Sequence, residues 1–347
     1  YGVAEDDSPR LLGGISISDV DAGSGTMQVE VFVNDGNLTF ISLAGLTVTA
    51  GSNGSDSVTV QGSLIDLNSA LATLAYHPNP DFHGSDTLTL TVDDLDNQPG
   101  PSLTDQATAN IVVSPVNDDP DTSGPVGAGS TEDDVGFSVD MLDGASDTEG
   151  DILNVSGLML TGGDASGVTV VGNNLNVDPS AYNHLAVGES EVITYSYNVI
   201  DGNGGSVAQT ATITITGVND DPTVGPAITD GGSEDGAGFS VDLLDGAGDS
   251  DTSDTLNVSG LTLTGGDASG VTVVGNNLNV DPSAYNHLAV GESQVITYSY
   301  NVIDGNGGSV VQTATITITG VNDDPGFGAA VTDSGSDDVA CFSVDVL

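Results

Sequence analysis

Apolar and polar residues alternate with a period of two over long stretches of the chain. Residues 193, 195, 197 and 199 are apolar or aromatic and those between them are polar, and the same alternation runs from 210 to 216. A two-residue period places the apolar side chains on one face of a strand. The segment Asp-Gly-Asn-Gly-Gly at 201–205 separates the two runs and is typical of a hairpin turn. The pattern predicts an antiparallel hairpin with one buried face and one solvated face.

The first third of the chain has shorter apolar runs between turns rich in Gly, Asn, Asp and Pro. The leucines at 64, 67, 71 and 74 have helical spacing instead, so we expect a short helix that packs on the core. The predicted strands of this part are 27–34, 37–42, 47–50, 57–61, 87–93 and 107–113.

The sequence Val-Asn-Asp-Asp-Pro occurs at 116–120, 218–222 and 321–325, with offsets of 102 and 103 residues. Such an offset is the size of one compact domain. Residues 154–222 and 257–325 differ at only three positions, so they are tandem copies of one unit. Together with the strand pattern, the repeat predicts an all-β chain of tandem antiparallel β-sandwiches. The predicted domains are 1–120, 121–222 and 223–325, followed by the first strand of a truncated fourth repeat at 326–347.

The final residues allow two interpretations. The segment 342–345 repeats the Phe-Ser-Val-Asp of 239–242, and the sequence ends two residues later. Either the sequence is a slice of a longer array, or the terminal strand is donated to a neighbouring molecule. The one cysteine, Cys341, falls in this segment, so no disulfide within the chain is possible, and its position suits a small buried strand residue.

Charge narrows the range of partners. The chain has 51 acidic residues and one basic residue, Arg10, which gives a formal charge of −50. Such a surface repels phosphates and anionic lipids, so nucleic acids and membrane surfaces are poor partners. It also repels itself, and divalent cations are the natural counter-charge for carboxylates held close together. General acidity without specific sites, as in halophilic proteins, is the alternative.

The positions of the acids point to sites at the ends of each domain. Glu189 precedes a strand that runs to Ile200, and Asp201 follows it. The two carboxylates therefore lie about 30 Å apart, at opposite ends of a domain. In a head-to-tail array, acids from two domains meet at the Val-Asn-Asp-Asp-Pro segment. Oxygen ligands from three chain segments suit the six- to eight-coordinate Ca²⁺ ion.

These motifs resemble the cadherin-like and VCBS-type tandem repeats of large bacterial surface adhesins. Val-Asn-Asp-Asp-Pro is similar to the cadherin linker motif, the segment 200–205 to the acidic hairpin, and the segment 185–189 to the stretch that precedes it. The resemblance covers essentially all of residues 1–325. It implies Ig-like or cadherin-like sandwiches, Ca²⁺ ions at the linkers, an extracellular or cell-surface location and a role in cell adhesion.

The resemblance also implies which residues hold the metal. At the first linker they are Glu5, Asn117, Asp118, Asp119, Asp147, Glu149 and Asp201, with Asp86 as a further candidate. At the second linker they are Glu132, Glu189, Asn219, Asp220, Asp221, Asp249, Asp251 and Asp304. At the third they are Glu234, Glu292, Asn322, Asp323 and Asp324. Asp19, Asp21 and Asp94 form an upper set that has no upstream partner in the sequence. Where cadherins carry Asp-Arg-Glu, this chain has Gly-Glu-Ser around Glu189 and Glu292.

Catalysis is not expected. The sequence has no His-Glu-X-X-His zinc motif, no phosphate-binding loop and no Gly-X-Ser-X-Gly elbow. Near-identical tandem copies are typical of a structural array. We therefore expect a calcium-rigidified extracellular spacer of an adhesin or filament, whose partners are the neighbouring repeats. Two alternatives are open: direct binding of glycans or like molecules, with Tyr182 and Tyr285 as candidate platforms, and polymerisation through residues 326–347.

Overall fold

The computed structural model describes residues 1–95 and 101–324. Within them, regular structure is almost entirely β-strand, with one α-helix and two short 3₁₀ helices. The predicted all-β class is confirmed. In the same two ranges no helix has the length and apolar character needed to cross a membrane. The strand predicted at 326–347, together with Cys341, lies outside the described residues.

The chain divides into two compact units. The first contains residues 1–126, 140–159 and 195–211, and the second contains 127–139, 160–194 and the residues from 212 onwards. These units do not follow the domain boundaries predicted at 120 and 222, which stay a prediction. Each sheet in the described residues nevertheless takes all of its strands from one of three stretches, 1–114, 121–216 or 228–319.

The elements of the first stretch are β1 (Gly2–Ala4), β2 (Arg10–Leu11), β3 (Met27–Phe32), β4 (Gly36–Phe40), β5 (Thr47–Gly51), β6 (Ser57–Gly62), α1 (Leu64–Leu71), β7 (Leu74–Pro78), β8 (Gly84–Asp93) and β9 (Thr104–Ser114). The strands form a six-stranded sheet of order β1-β9-β8-β3-β6-β5 and a three-stranded sheet of order β2-β7-β4. Alternate residues of β3, including Val29 and Val31, are fully buried in a core shared with Leu38 and Phe40 of β4.

The predicted short helix is confirmed as α1, except that it ends at Leu71 and Leu74 opens the strand β7 instead. The Ser63 hydroxyl caps it by accepting the N–H of Asp66 at 3.2 Å. Leu67, Ala70 and Leu71 are buried, as the leucine spacing indicated.

The elements of the middle stretch are β10 (Asp121–Thr122), β11 (Val126–Thr131), β12 (Phe137–Asp140), β13 (Ala145–Ser146), β14 (Asn154–Gly162), β15 (Val168–Val171), β16 (Asn174–Val177), a 3₁₀ helix (Pro179–Tyr182), β17 (Ser190–Ile200) and β18 (Ser206–Thr216). The strands form sheets of order β11-β18-β17-β14, β12-β16-β15 and β10-β13.

The elements of the third stretch are β19 (Ile228–Ser233), β20 (Phe239–Asp242), β21 (Asn257–Gly265), β22 (Val271–Val274), β23 (Asn277–Val280), a 3₁₀ helix (Pro282–Tyr285), β24 (Ser293–Ile303) and β25 (Ser309–Thr319). The strands form sheets of order β19-β25-β24-β21 and β20-β23-β22, as in the two larger sheets of the middle stretch.

The hairpin predicted around 201–205 corresponds to β17 and β18, which are neighbours in one sheet and bury Tyr195 and Tyr197 on the inward face. The register is seen in its copy. β24 and β25 pair antiparallel, from Ser293 opposite Thr319 to Ile303 opposite Ser309. Tyr298 and Tyr300 point inward and are 7% and 2% exposed. Burial raises the pKa of Tyr300 to about 12, and its hydroxyl donates to the main-chain oxygen of Leu243 at 2.8 Å.

The pairing of the first strand differs from the antiparallel prediction. β1 pairs with β9 in parallel, and β19 pairs with β25 in parallel. Two parallel neighbours end at the same edge of a sheet. The residue after β1 or β19 is therefore placed beside the end of the last strand, where a Val-Asn-Asp-Asp-Pro segment begins.

Candidate metal centres at the acidic linkers

A buried glutamate holds the start of each Val-Asn-Asp-Asp-Pro segment. Glu5, Glu132 and Glu234 follow β1, β11 and β19 and are 2%, 1% and 0% exposed. In all three, Oε1 accepts the N–H of the valine that opens the segment: Val116 to Glu5 at 2.7 Å, Val218 to Glu132 at 2.8 Å and Val321 to Glu234 at 2.8 Å. The glutamates thus tie the segment to the sheet it leaves.

A second carboxylate lies in the turn between β17 and β18. Asp201 Oδ1 accepts the N–H groups of Asn203, Gly204 and Gly205 at 2.7, 3.0 and 3.1 Å. The side-chain amide of Asn117 donates to Asp201 Oδ2 at 2.8 Å. This hydrogen bond is the largest cause that holds the pKa of Asp201 below its ordinary value, and the three main-chain N–H groups act in the same direction. The carboxylate is therefore both charged and fixed.

Asp304 repeats the arrangement in the turn between β24 and β25. Its Oδ1 accepts the N–H groups of Asn306, Gly307 and Gly308 at 2.7, 3.0 and 3.0 Å, and its Oδ2 accepts the Asn219 amide at 2.9 Å. Burial alone would raise the pKa of Asp304, but these hydrogen bonds outweigh it and hold the pKa below the usual range. In both linkers, the asparagine of the segment is bound to the hairpin that follows it in the chain.

The last glycine of each hairpin is required by a close approach. A Cβ on Gly308 would overlap Asp304 Oδ2 and lie 2.8 Å from Asp221 Oδ1. A Cβ on Gly205 would overlap Asp201 Oδ2 and lie 2.8 Å from the main-chain oxygen of Asp118. Any side chain here would force the hairpin away from the linker.

At the first linker, a loop after β13 reaches the segment. Asp118 donates its N–H to Glu149 Oε2 at 3.0 Å, and Asp147 Oδ1 accepts the N–H of Glu149 at 3.0 Å. Asp119 Oδ1 accepts the N–H of Ser206 at 2.9 Å. The structure therefore brings the predicted ligands of this linker into one neighbourhood.

The second linker has the same hydrogen-bond arrangement, with Asp251 in the place of Glu149. Asp220 donates its N–H to Asp251 Oδ2 at 3.0 Å, and Asp249 Oδ1 accepts the N–H of Asp251 at 3.0 Å. Asp251 is more buried than its counterpart Glu149: it is 1% exposed, whereas Glu149 is half-buried. Carboxylate oxygens of Asp249, Asp254 and Asp304 lie within 4.8 Å of one another.

Buried oxygens without a hydrogen-bond donor collect at these two linkers. At the first they are Glu5 Oε2, Asp118 Oδ2, Asp147 Oδ2 and Glu149 Oε1. At the second they are Asn219 Oδ1, Asp220 Oδ2, Asp249 Oδ2, Asp251 Oδ1 and Asp254 Oδ2. A buried polar atom without a partner costs free energy, and more so when it carries charge. Their concentration at the linkers indicates that these oxygens are arranged to bind an additional, positively charged partner.

The donor set fits a hard divalent cation. Ca²⁺ binds oxygen at about 2.3–2.6 Å, so the ligands of one ion lie within about 5 Å of one another, as one oxygen each of Asp249, Asp254 and Asp304 does. Burial raises the pKa of Asp249 and of Asp251, and neighbouring carboxylates add to both effects. Burial, with the nearby charge of Glu149, likewise raises the pKa of Asp118. A cation would neutralise these carboxylates.

The third segment is described only up to residue 324. Glu234 is positioned like Glu5 and Glu132, whereas Asn322, Asp323 and Asp324 are exposed.

Four of the predicted metal ligands accept hydrogen bonds from main-chain N–H groups of their own stretch of the chain. Glu189 and Glu292 are exposed and accept the N–H groups of Ala186 and Ala289, three residues earlier, both at 3.0 Å. Asp86 is buried, and both of its oxygens already accept hydrogen bonds. The upper-set residue Asp19 accepts the N–H of Asp21 at 3.0 Å.

The structure adds three residues that the sequence did not suggest. Asp254 joins the oxygen group of the second linker. Asn183 is half-buried with an unpartnered Oδ1, next to His184, whose main-chain oxygen accepts the N–H of Thr252 at 3.3 Å. His83 stands 3.4 Å from Glu5 at the first linker. The acidic run at 249–254 could have indicated Asp254, but no local pattern marks Asn183 or His83.

The aromatic platforms considered for glycans are not exposed. Tyr182 and Tyr285 are both 0% exposed, and their hydroxyls donate to the main-chain oxygens of Asp164 and Asp267 at 2.8 and 3.0 Å. These two residues are core side chains that hold the loop before β15 or β22.

Comparison with known families identifies part of the chain. Residues 116–216 match the family model described as "Cadherin-like domain". The match begins at the first linker and ends with β18, which covers less than a third of the chain. No curated protein matches the sequence.

Several cadherin ectodomain structures are similar to this chain at low identity. PcdhgB3 EC1-4 is 14% identical with a TM-score of 0.45, over 92% of this chain and 73% of that one. Mouse cadherin-23 EC22-24 is 15% identical with a TM-score of 0.41, over 92% and 94%. The human desmocollin-1 ectodomain is 13% identical with a TM-score of 0.31, over 93% of this chain and 60% of that one. All three TM-scores are below 0.5, so the fold assignment rests on the strand pairing given above.

Proposed function

We propose that this chain is a calcium-rigidified extracellular spacer, part of the stalk of a cell-surface adhesin or filament. The observation that carries the proposal is the group of nine buried, unpartnered oxygens at the two linkers. Their spacing and chemistry suit Ca²⁺. The bacterial adhesin context, the non-catalytic role and the division into repeats at 120, 222 and 325 belong to the same proposal.

The ligand sets are assigned from the contacts. Those at the first linker are Glu5, Asp118, Asp147 and Glu149, supported by Asn117 and Asp201. Those at the second linker are Asn219, Asp220, Asp249, Asp251 and Asp254, with Glu132 and Asp304 beside them. At each linker these residues would hold Ca²⁺, which would neutralise their facing carboxylates. The segment would then be fixed between the sheet that precedes it and the hairpin that follows it, so each linker would be rigid.

Calcium removal tests the proposal. Saturating Ca²⁺ is expected to stabilise the fold, because it binds the folded state: a site filled at 100 times its Kd contributes about 2.7 kcal/mol. Melting and small-angle scattering of the full chain should show a higher Tm and a more extended, less variable particle with Ca²⁺ than with chelator. Mg²⁺ at the same ionic strength is the control and should act more weakly, because it loses its water reluctantly. An unchanged Tm and scattering curve would rule the metal role out.

The paired copies supply a test of Asn183, one of the three residues that the structure adds. Asn183 and Asn286 occupy the same position in the two repeats, but Asn183 is half-buried with an unpartnered oxygen and Asn286 is exposed. The main-chain oxygen of the adjacent His184 accepts the N–H of Thr252, so Asn183 is next to the loop that carries Asp251 and Asp254. Asn183→Ala should therefore lower the Ca²⁺ affinity of the second linker by about tenfold, as loss of a supporting group does. Asn286→Ala should leave that affinity unchanged. Calorimetric titration distinguishes the two variants, and equal effects would show that Asn183 has no part in the site.

A further inference from the structure

The first linker differs from the others in what its glutamate faces. In Glu132 and Glu234, Oε1 holds the valine N–H and Oε2 accepts a second main-chain N–H, from Leu185 at 3.3 Å or Leu288 at 3.1 Å. Glu5 has the first contact and lacks the second: its Oε2 is buried and accepts no hydrogen bond. The group that it faces instead is the imidazole of His83.

His83 is directed to this place by the loop between β7 and β8. The N–H of Phe82 donates to Asn79 at 3.2 Å, and the N–H of Asn79 donates to Asp35 at 3.0 Å, which fixes the loop. Phe82 packs against the core, and His83 follows it at the protein surface, 38% exposed. The ring is thus anchored by its neighbour and reachable from solvent.

Three ligand atoms converge at this point. One atom each of Glu5, His83 and Glu149 lie within 4.8 Å of one another. Glu149 Oε1 is buried without a hydrogen-bond donor, as is the nearby Asp118 Oδ2. Glu5 itself is 2% exposed, so an unpartnered and almost completely buried oxygen points at the histidine.

We propose that His83, Glu5 and Glu149 form a site for a divalent transition-metal ion of the Zn²⁺ type at the first linker. This inference deepens the proposed function, on which it rests, by assigning the two linkers different metal preferences.

The distance supports a shared ion over a direct ion pair. His83 Nδ1 and Glu5 Oε2 are 3.4 Å apart. A charge-assisted N–H···O bond is shorter, about 2.7–2.9 Å. Two ligands about 2.1 Å from a tetrahedral Zn²⁺ are about 3.4 Å apart.

The ligand types also separate the two linkers. One imidazole nitrogen with two carboxylates suits Zn²⁺ and its neighbours, whereas Ca²⁺ takes oxygen only. The corresponding group of the second linker, Asp249, Asp254 and Asp304, offers carboxylate oxygens only. The second linker therefore prefers Ca²⁺, and the first accepts either class of ion.

Nuclear magnetic resonance of the histidine rings tests the site directly. The chain has four histidines, so an untagged sample gives four sets of ring ¹H–¹⁵N signals. One equivalent of Zn²⁺ added to the chelator-stripped 347-residue chain should move the signals of His83 alone. His83→Gln should weaken Zn²⁺ binding by about tenfold or more. His77→Gln is the matched control: it alters an exposed histidine in β7, the strand before the loop that carries His83, and should leave Zn²⁺ binding intact.

The Zn²⁺ and Ca²⁺ titrations test the zinc site and the calcium spacer separately. Zn²⁺ that leaves His83 unmoved, or that binds His83→Gln as tightly as the parent, overturns it and indicates binding by carboxylates alone. The Ca²⁺ response is read from the Tm of the same samples. If Ca²⁺ raises the Tm but Zn²⁺ does not reach His83, only the zinc inference fails. If Zn²⁺ moves His83 but Ca²⁺ leaves the Tm unchanged, the site stands and the calcium spacer fails.

Discussion

Asp304→Ala is expected to lose more than about 3 kcal/mol of unfolding free energy, whether or not calcium is present. The side chain accepts three main-chain N–H groups of its turn and the amide of Asn219. It is 4% exposed, so water cannot replace it fully as acceptor. Each buried donor left without an acceptor costs about 1–3 kcal/mol, and the hairpin would lose its attachment to the linker. Urea unfolding with Ca²⁺ and with chelator measures both effects.

Two controls separate the hydrogen bonds from the charge. Asp304→Asn keeps one oxygen for the turn but sets its NH₂ against the donors from Asn219 and Gly308, so an intermediate loss is expected. Asp235→Ala removes an exposed carboxylate of the same stretch and should change stability by less than about 0.5 kcal/mol. If Asp304→Ala loses no more than Asp235→Ala, the turn does not depend on the carboxylate.

Much of the fold follows from local pattern. The two-residue alternation fixed which face of the long hairpins is buried, and Asp-Gly-Asn-Gly-Gly located their turn. The parallel pairing of β1 and β19 was not predictable in this way. It depends on contacts between residues far apart in sequence: Gly2 with Val112, 110 positions away, and Ile228 with Ala314, 86 positions away. The local pattern of a short strand carries no signal of the direction of its partner.

The residues of the candidate sites likewise include some that the sequence spacing predicts and some that it does not. The linker acids and the hairpin aspartates could be found because they repeat at fixed spacing. Glu189 shows the limit of that reasoning. Its position at the start of a long strand made it a candidate metal ligand, but its side chain accepts the N–H of Ala186, three residues earlier, in its own turn. Asn183 and His83 were missed because their positions depend on how loops distant in sequence pack, which no spacing records.

Asp251→Asn is expected to act in opposite directions with and without calcium. Asp251 is 1% exposed, its Oδ2 accepts the N–H of Asp220, and its Oδ1 has no hydrogen-bond partner. Burial, with the charges of Asp220, Asp254 and Asp249, raises its pKa, so its negative charge is unfavourable in the metal-free fold. The neutral amide keeps an oxygen for Asp220 and can donate to a neighbouring carboxylate. The metal-free variant should therefore be more stable than the parent.

With calcium the sign reverses, because the substitution removes a charged ligand. We expect the Ca²⁺ affinity of the second linker to fall about 10–100-fold, measured by calorimetric titration beside urea unfolding in chelator. Glu149→Gln is the matched control, since Glu149 accepts the N–H of Asp118 as Asp251 accepts that of Asp220. Glu149 is half-buried, so its metal-free gain should be smaller. A loss of stability in chelator for Asp251→Asn would mean that the carboxylate supports the fold by itself, because a residue placed for a cation stabilises the linker only when the cation is bound.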